Sequence, residues 1–301
     1  MKKFIFRLSI LLLIIGGLAL FTYPFISDRL NTLNGSRVIG EYENSISSMD
    51  PDEKEAELEA AREYNTTLTG NGIRNTSLTD SDAALLENYT NILNFDDGVI
   101  GAIEIPAIDV YLPIYHDSSD EILEKGIGHL KGSAFPIGGE GDHTVLTGHS
   151  GTTNAKLFTD LDKLVVGDVF YIHVLDEILA YEADQILIVE PENTDDLHPI
   201  LGEDHVTLVT CTPLGVNSHR LLVRGIRIPY DPDTVQTDET AQGAGFRIMI
   251  LIIALFLVVV TISVVFRHNK NMRCMDARLK KAEAPPEPGS LSGDGNSDTK
   301  P

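Results

Sequence analysis

The stretch Thr207-Leu208-Val209-Thr210-Cys211 predicts a β-strand that ends at a cysteine. Leu221 to Ile228 predicts a second strand, and the residues between, from Thr212 to Ser218, include the Pro, Gly, Asn and Ser typical of a loop. A hairpin of this kind brings Cys211 and Arg220 to facing strand ends. Because a neighbouring cation favours the thiolate, which is the nucleophilic form, this pair is a candidate catalytic site.

The hairpin alone does not establish a catalytic role for Cys211 and Arg220. A free cysteine usually packs as a small apolar residue, and an arginine near a strand start is usually solvated. A third group supports catalysis. His149 lies between Gly148 and Gly151, directly after a short β-type run from Thr144 to Leu146. It is therefore predicted at the rim of a β-structure, where functional sites tend to lie. The rival is His129, which also has flanking glycines, but no β-type run is predicted to lead into it.

Three segments resemble the signature stretches of sortases, the cysteine transpeptidases that join surface proteins on Gram-positive bacteria. They are Leu146-Thr147-Gly148-His149, Thr207-Leu208-Val209-Thr210-Cys211 and His219-Arg220-Leu221-Leu222-Val223-Arg224-Gly225. The resemblance runs in order from about Ile100 to Pro229 and is strongest to class C, the pilus-building sortases. It implies the closed sortase β-barrel with a cleft at one end.

The resemblance also implies a role for each site residue. Cys211 would form an acyl-thioester, His149 would exchange protons with the leaving and incoming amines, and Arg220 would bind the substrate backbone or the oxyanion. Thr210 would shape the oxyanion pocket or pack in the core, two readings that stay open. No carboxylate is evident to orient the histidine, so no Cys-His-Asp triad is predicted.

The implied substrate is a sorting signal of the LPxTG kind, cut between Thr and Gly, with a pilin lysine as the acceptor amine. Two other enzymes would use the same residues: a cell-surface cysteine peptidase that mainly hydrolyses, and a wall-anchoring sortase that uses a peptidoglycan amine. A non-catalytic anchored scaffold or adhesin is a third alternative, which requires the three residues to be coincidental.

Two departures from the class C pattern concern the cleft. Class C sortases usually carry an Asp-Pro-aromatic lid motif ahead of the barrel, but Leu68 to Leu93 contains no Asp-Pro. The lid candidates there are Asp80 and Asp82, neither followed by an aromatic residue. Ser150 also follows the histidine where class C sequences commonly have arginine.

No cofactor is predicted. No metal is predicted either, because the acidic residues between Glu190 and Asp204 lack a regular oxygen-ligand spacing and are expected to be a solvated loop.

Two apolar runs predict membrane spans at residues 8–26 and 248–266. No small-x-small cleavage site follows the first run, which favours an uncleaved anchor over a signal peptide. The outer flanks of both runs are basic, so the positive-inside rule predicts both termini in the cytoplasm and the part between the spans outside. Cys274 and Cys211 are then on opposite sides of the membrane and cannot pair. An unpaired extracytoplasmic cysteine indicates a reactive thiol.

The formal net charge of −22 is concentrated in the outer part, which argues against nucleic acid or anionic lipid as a partner of the outer face. The predicted partners are sorting signals, an acceptor amine and the lipid bilayer. The predicted organisation is a cytoplasmic N-terminus (1–7), a transmembrane helix (8–26), an extracytoplasmic helical and lid-like region (27–98), a catalytic β-barrel (99–229), a stalk (230–247), a second transmembrane helix (248–266), and a basic segment with a disordered tail (267–301).

The fold is predicted to be mainly β, a closed barrel with short helices behind a helical N-terminal region. Asp50 is expected to cap a helix with an apolar stripe of Leu58, Ala61 and Tyr64. A loop is predicted from Asn65 to Asn75, then a short helix from Ser81 to Leu93. The predicted strands are Val99–Pro106, Val110–His116, Thr144–Gly148, Val169–Val174, Ile178–Val189, His205–Cys211 and Leu221–Ile228.

Overall fold

The structure is a computed structural model that describes residues 2–71, 87–95, 98–151 and 155–232, together with residue 263. The chain divides into two units, Met1–Glu239 and Thr240–Pro301. The second predicted membrane span, at 248–266, lies almost wholly outside the described residues. So do the lid candidates Asp80 and Asp82.

Two helices precede the barrel: α1 spans Lys2–Ser48 and α2 spans Pro51–Asn71. The predicted cap is confirmed, because the Asp50 carboxylate accepts a hydrogen bond from the Asp52 N–H at 3.0 Å. The predicted apolar stripe is confirmed as well: Ala61 and Tyr64 are fully buried, and Leu58 packs against the core.

The predicted loop from Asn65 is wrong as far as Asn71, since α2 continues through it. Asn65 is buried. Its side-chain amide donates to the Phe135 carbonyl at 3.1 Å, and its side-chain oxygen accepts from the Phe135 N–H at 2.7 Å. These contacts with a distant segment satisfy a polar residue that would otherwise favour a loop. Beyond the undescribed residues, Asn88–Asn91 forms a 3₁₀ turn that buries Tyr89.

Eight strands form a closed barrel in the order β1-β2-β3-β4-β7-β8-β6-β5. Their bounds are β1 Val99–Ile105, β2 Val110–His116, β3 Ile127–His129, β4 His143–Thr147, β5 Val169–Val174, β6 Glu177–Val189, β7 His205–Thr212 and β8 His219–Ile228. A one-turn helix, α3 (Asp120–Leu123), precedes β3. The mainly β, closed-barrel prediction and its seven strands are confirmed to within two residues at each end.

The eighth strand, β3, corrects the sequence analysis, which found no β-type run before His129. Ile127–His129 pairs parallel with β2 and antiparallel with β4. The run is too short, and too broken by Gly128, to show strand character by itself. Its neighbours on both sides impose the conformation.

Helix α1 packs its C-terminal half against the barrel. Ile39, Tyr42 and Ile46 are buried, and Tyr42 and Ile46 pack with Val99 and Tyr115. Among the described residues, one helix is long and apolar enough to cross a membrane, the part of α1 from Leu12 to Ser48, and a signal sequence would meet the same criterion. α1 passes the end of the predicted span at residue 26 without interruption.

Candidate functional site

The hairpin predicted from the sequence is present, and it sets Cys211 opposite Arg220. Strands β7 and β8 pair antiparallel with Cys211 in register with Arg220. The connecting loop is closed by backbone hydrogen bonds from the N–H groups of Val216 and Asn217 to the Pro213 carbonyl, at 3.0 and 2.9 Å. The Cys211 thiol is half-buried and unpaired, so it keeps a path to solvent while its backbone is held in the sheet.

His149 reaches the same barrel end through the parallel pairing of β4 with β7. Thr147 is in register with Val209, and the Gly148 N–H continues the ladder by donating to the Val209 carbonyl at 3.0 Å. His149 comes two residues after Thr147, and Cys211 comes two residues after Val209. The pairing therefore brings the predicted histidine and cysteine together, although 62 residues separate them in the sequence.

The end of β4 packs closely against the core at Gly148, and only glycine fits there. A Cβ at this position would lie 2.7 Å from side-chain atoms of Ile127 and Phe158, closer than real contacts allow. The two neighbours are buried core residues. The glycine before the histidine thus lets the β4 end pass close to the packed core and turn into the rim.

Two side-chain hydroxyls connect the histidine segment to the cysteine strand. Thr210, which is buried, donates to the Gly148 carbonyl at 2.7 Å. In the opposite direction, Ser150 donates to the Cys211 carbonyl at 2.6 Å. On its other side, the His149 carbonyl accepts from the Phe158 N–H at 3.1 Å. The backbone around His149 is therefore fixed on both sides relative to Cys211.

Neither hydroxyl contact was predicted. Thr210 was predicted to support the oxyanion pocket or to pack in the core. Its hydroxyl donates to the carbonyl of Gly148, the residue before the histidine. Ser150 was noted only as a departure from the class C pattern. No local sequence pattern predicts these bonds, because they depend on the parallel alignment of two strands far apart in the chain.

The Arg220 guanidinium lies at the rim, where its Nη1 donates to the His219 carbonyl at 3.2 Å and lies 3.5 Å from the Asn217 carbonyl. Both acceptors belong to the loop end of the hairpin. The side chain carries five donor hydrogens, so these contacts leave donors for a carbonyl or oxyanion. A thiol, an imidazole and a guanidinium at one barrel end make a set suited to acyl transfer through a thioester.

His129, the rival histidine, is placed in the core. It is fully buried, and its ring nitrogens lie 2.8 Å from the Tyr89 hydroxyl and 2.8 Å from the Ala134 carbonyl. Burial lowers the pKa of His129 to about 4, so the ring is neutral at physiological pH. With both nitrogens engaged, this histidine supports the core, and His149 remains the predicted site histidine.

The acidic loop after β6 is mostly exposed, and Asp195–Leu197 forms a 3₁₀ turn with no buried residue. Within the described parts of the chain, no three His, Cys, Asp or Glu side chains are grouped so as to hold a metal ion.

The chain is similar in sequence and fold to known sortases. The family model described as the sortase domain matches residues 103–228. The crystal structure of sortase C1 from Streptococcus agalactiae is 42% identical, with a TM-score of 0.60, and the match covers 65% of this chain and 100% of that one. A Clostridium perfringens sortase C, solved with the C-terminal cell wall sorting motif, is 40% identical, with a TM-score of 0.56 and coverage of 65% and 100%.

Curated relatives are more distant. Sortase A of Bacillus anthracis is 30% identical over 127 residues, which are 42% of this chain. The chain spans 59% of that relative's length, so the match is less than two thirds of it.

Proposed function

This chain belongs to the sortase family of cysteine transpeptidases, in its class C branch, and we propose that it cleaves an LPxTG-type sorting signal between Thr and Gly and transfers the acyl group to an amine. The acceptor we propose is a lysine of a pilin subunit, in pilus assembly. The observation that supports this proposal is the register of Cys211 with Arg220, together with the hydrogen bonds that join Gly148 and Ser150, on either side of His149, to the cysteine strand.

The chemistry has two halves. In the first, the Cys211 thiolate attacks the threonine carbonyl, the C–N bond breaks, and protonated His149 gives its proton to the departing amine. In the second, neutral His149 takes a proton from the incoming amine, which attacks the thioester and releases the thiolate. Arg220 donates hydrogen bonds to the oxyanion or to the substrate backbone in both halves.

The anchoring is part of the same proposal. The apolar N-terminal part of α1 would cross the membrane, with a second span at 248–266, both termini in the cytoplasm and the barrel outside. The support is the length and apolarity of α1 and the basic flanks of both runs. An extracytoplasmic barrel would meet sorting signals and acceptor amines where secreted proteins emerge.

The decisive experiment uses the full chain, a sorting-signal peptide, and an added amine. We expect wild-type protein to release the peptide's C-terminal fragment, to form a thioester adduct visible by mass spectrometry, and to yield an amide product with the amine. Cys211→Ala should lose all three, whereas Cys274→Ala should retain them.

The alternatives give different products. Cleavage without amide product, at saturating amine, would identify a hydrolysing peptidase, and preference for a peptidoglycan amine over a pilin lysine would identify a wall-anchoring enzyme. Turnover that persists in Cys211→Ala would refute the nucleophile. No cleavage by any variant would favour a non-catalytic scaffold.

A further inference from the structure

Helix α1 connects the candidate membrane span to the catalytic end of the barrel. Its Asp28 carboxylate accepts a hydrogen bond from the Lys156 N–H at 2.8 Å. Two residues further on, the Phe158 N–H donates to the His149 carbonyl at 3.1 Å. This contact between α1 and the barrel is therefore next to the segment that carries His149.

From there α1 runs towards the opposite end of the barrel. The Tyr42 hydroxyl donates to the Ile100 carbonyl at 3.2 Å and accepts from the Leu175 N–H at 2.7 Å. Ile100 is near the start of β1 and Leu175 follows the end of β5, both remote from Cys211. The fourteen residues from Asp28 to Tyr42 rise by about 21 Å. That matches the roughly 23 Å length of the seven-residue strand β1.

The proposed anchoring would put the catalytic end close to the membrane. Asp28 is two residues beyond the end of the predicted span at residue 26, about 3 Å along a helix axis. The headgroup layer adds roughly 5–7 Å on each side of the hydrocarbon core. With a span that ends at residue 26, Asp28 would fall inside this layer. Pro24 lies within α1 just before the end of the span, and a kink there would tilt the span without changing this short separation.

The surface of this barrel end suits such a location. Leu214 and Val216, in the loop between Cys211 and Arg220, are 61% and 69% exposed. From residue 205 to residue 230 the chain has no Asp or Glu, although it has 45 in total. Exposed apolar side chains with no acidic residue nearby in the sequence are the kind that insert at a bilayer interface.

The turn before β5 adds two more exposed apolar side chains to the catalytic end. Val165 and Val166, in the turn before β5, are 61% and 62% exposed. The opposite end also exposes an apolar residue, Leu201, at 88%. Exposure therefore does not distinguish the two ends by itself, and the direction of α1 does.

We propose that the catalytic end of the barrel rests in the headgroup layer of the membrane that α1 enters, with Leu214 and Val216 as apolar contacts. This inference rests on the proposed anchoring and is independent of the transpeptidase chemistry.

The test measures depth and needs no activity. In the full chain with Cys211→Ala and Cys274→Ala, a single cysteine is introduced as Val216→Cys, Val166→Cys or Leu201→Cys and labelled with a small fluorophore. The protein is reconstituted into phosphatidylcholine vesicles with and without lipids that carry a nitroxide near the headgroup. Leu201 is the matched control, because it is an exposed apolar residue at the other barrel end.

We expect quenching at positions 216 and 166 to exceed that at 201 by about two-fold or more, since the two ends are roughly 23 Å apart. Protein that floats with the vesicles but is quenched equally at all three positions, or most at 201, would overturn the orientation. Protein that does not float with the vesicles would overturn the anchoring, and the orientation with it. Neither result would bear on cleavage of a soluble peptide.

Discussion

Replacing Thr210 with valine tests how the site is held together. The change keeps the shape of the side chain and removes the hydroxyl that donates to the Gly148 carbonyl at 2.7 Å. Thr210 is 4% exposed, so water does not readily replace the lost donor. Thr210→Ser is the matched control, because it keeps the hydroxyl and loses only a methyl group.

The expected magnitudes follow from the geometry. A buried carbonyl left without its donor costs about 1–3 kcal/mol in free energy of unfolding. Gly148 precedes His149, so a shift of the freed carbonyl moves the histidine. A displacement on the order of 1 Å at a catalytic group lowers kcat by about 10²-fold. Thr210→Ser should stay within a few-fold of wild type in activity.

The assays are urea unfolding and the pH profile of peptide cleavage. If Thr210 positions His149, Thr210→Val should shift the pH profile as well as lower kcat, because the surroundings of the imidazole change. If Thr210 instead supports only the oxyanion, the rate should fall with an unchanged pH profile. Wild-type stability and kcat in Thr210→Val, or an equal loss in Thr210→Ser, would refute the positioning role.

Three further predictions concern single residues. His149→Ala should lose about 10²–10⁴-fold in kcat as a general acid and base. His173→Ala, which removes a 3.0 Å contact to Glu104 and an edge-on ring contact with Tyr111, should stay near wild type in activity; equal losses would indicate a stability effect. Arg220→Lys keeps the charge without the planar fork and should lose on the order of 10²-fold in kcat/KM, so near-normal activity would show that charge suffices. Burial lowers the pKa of His129 from 6.5 to about 4, so the unfolded chain binds more protons in this window and the free energy of unfolding should fall as pH drops through it, by on the order of 3 kcal/mol; a Tm unchanged between pH 7.5 and 4.5 would contradict this.

Patterns of neighbouring residues determined the parts of this protein that are locally encoded. Seven strands were predictable because alternating and β-branched residues mark them, and the helix cap at Asp50 because its pattern is confined to one turn. The cysteine, histidine and arginine could be selected because a glycine frame and a strand–loop–strand pattern surround them. The barrel confirms that they share one end, while their catalytic roles remain predictions.

Tertiary structure decided whatever depends on segments far apart in the chain. Ile127–His129 is a strand only because β2 and β4 lie on either side of it, and α2 continues to Asn71 with Asn65 bonded to Phe135. The bond from Ser150 to the Cys211 carbonyl has the same origin, a pairing between strands that no local pattern records. The direction of α1 along the barrel is likewise set by its contacts from Asp28 to Tyr42. A residue's own sequence neighbours carry its backbone preference, but its burial and its partners are fixed by chain segments that only folding brings together.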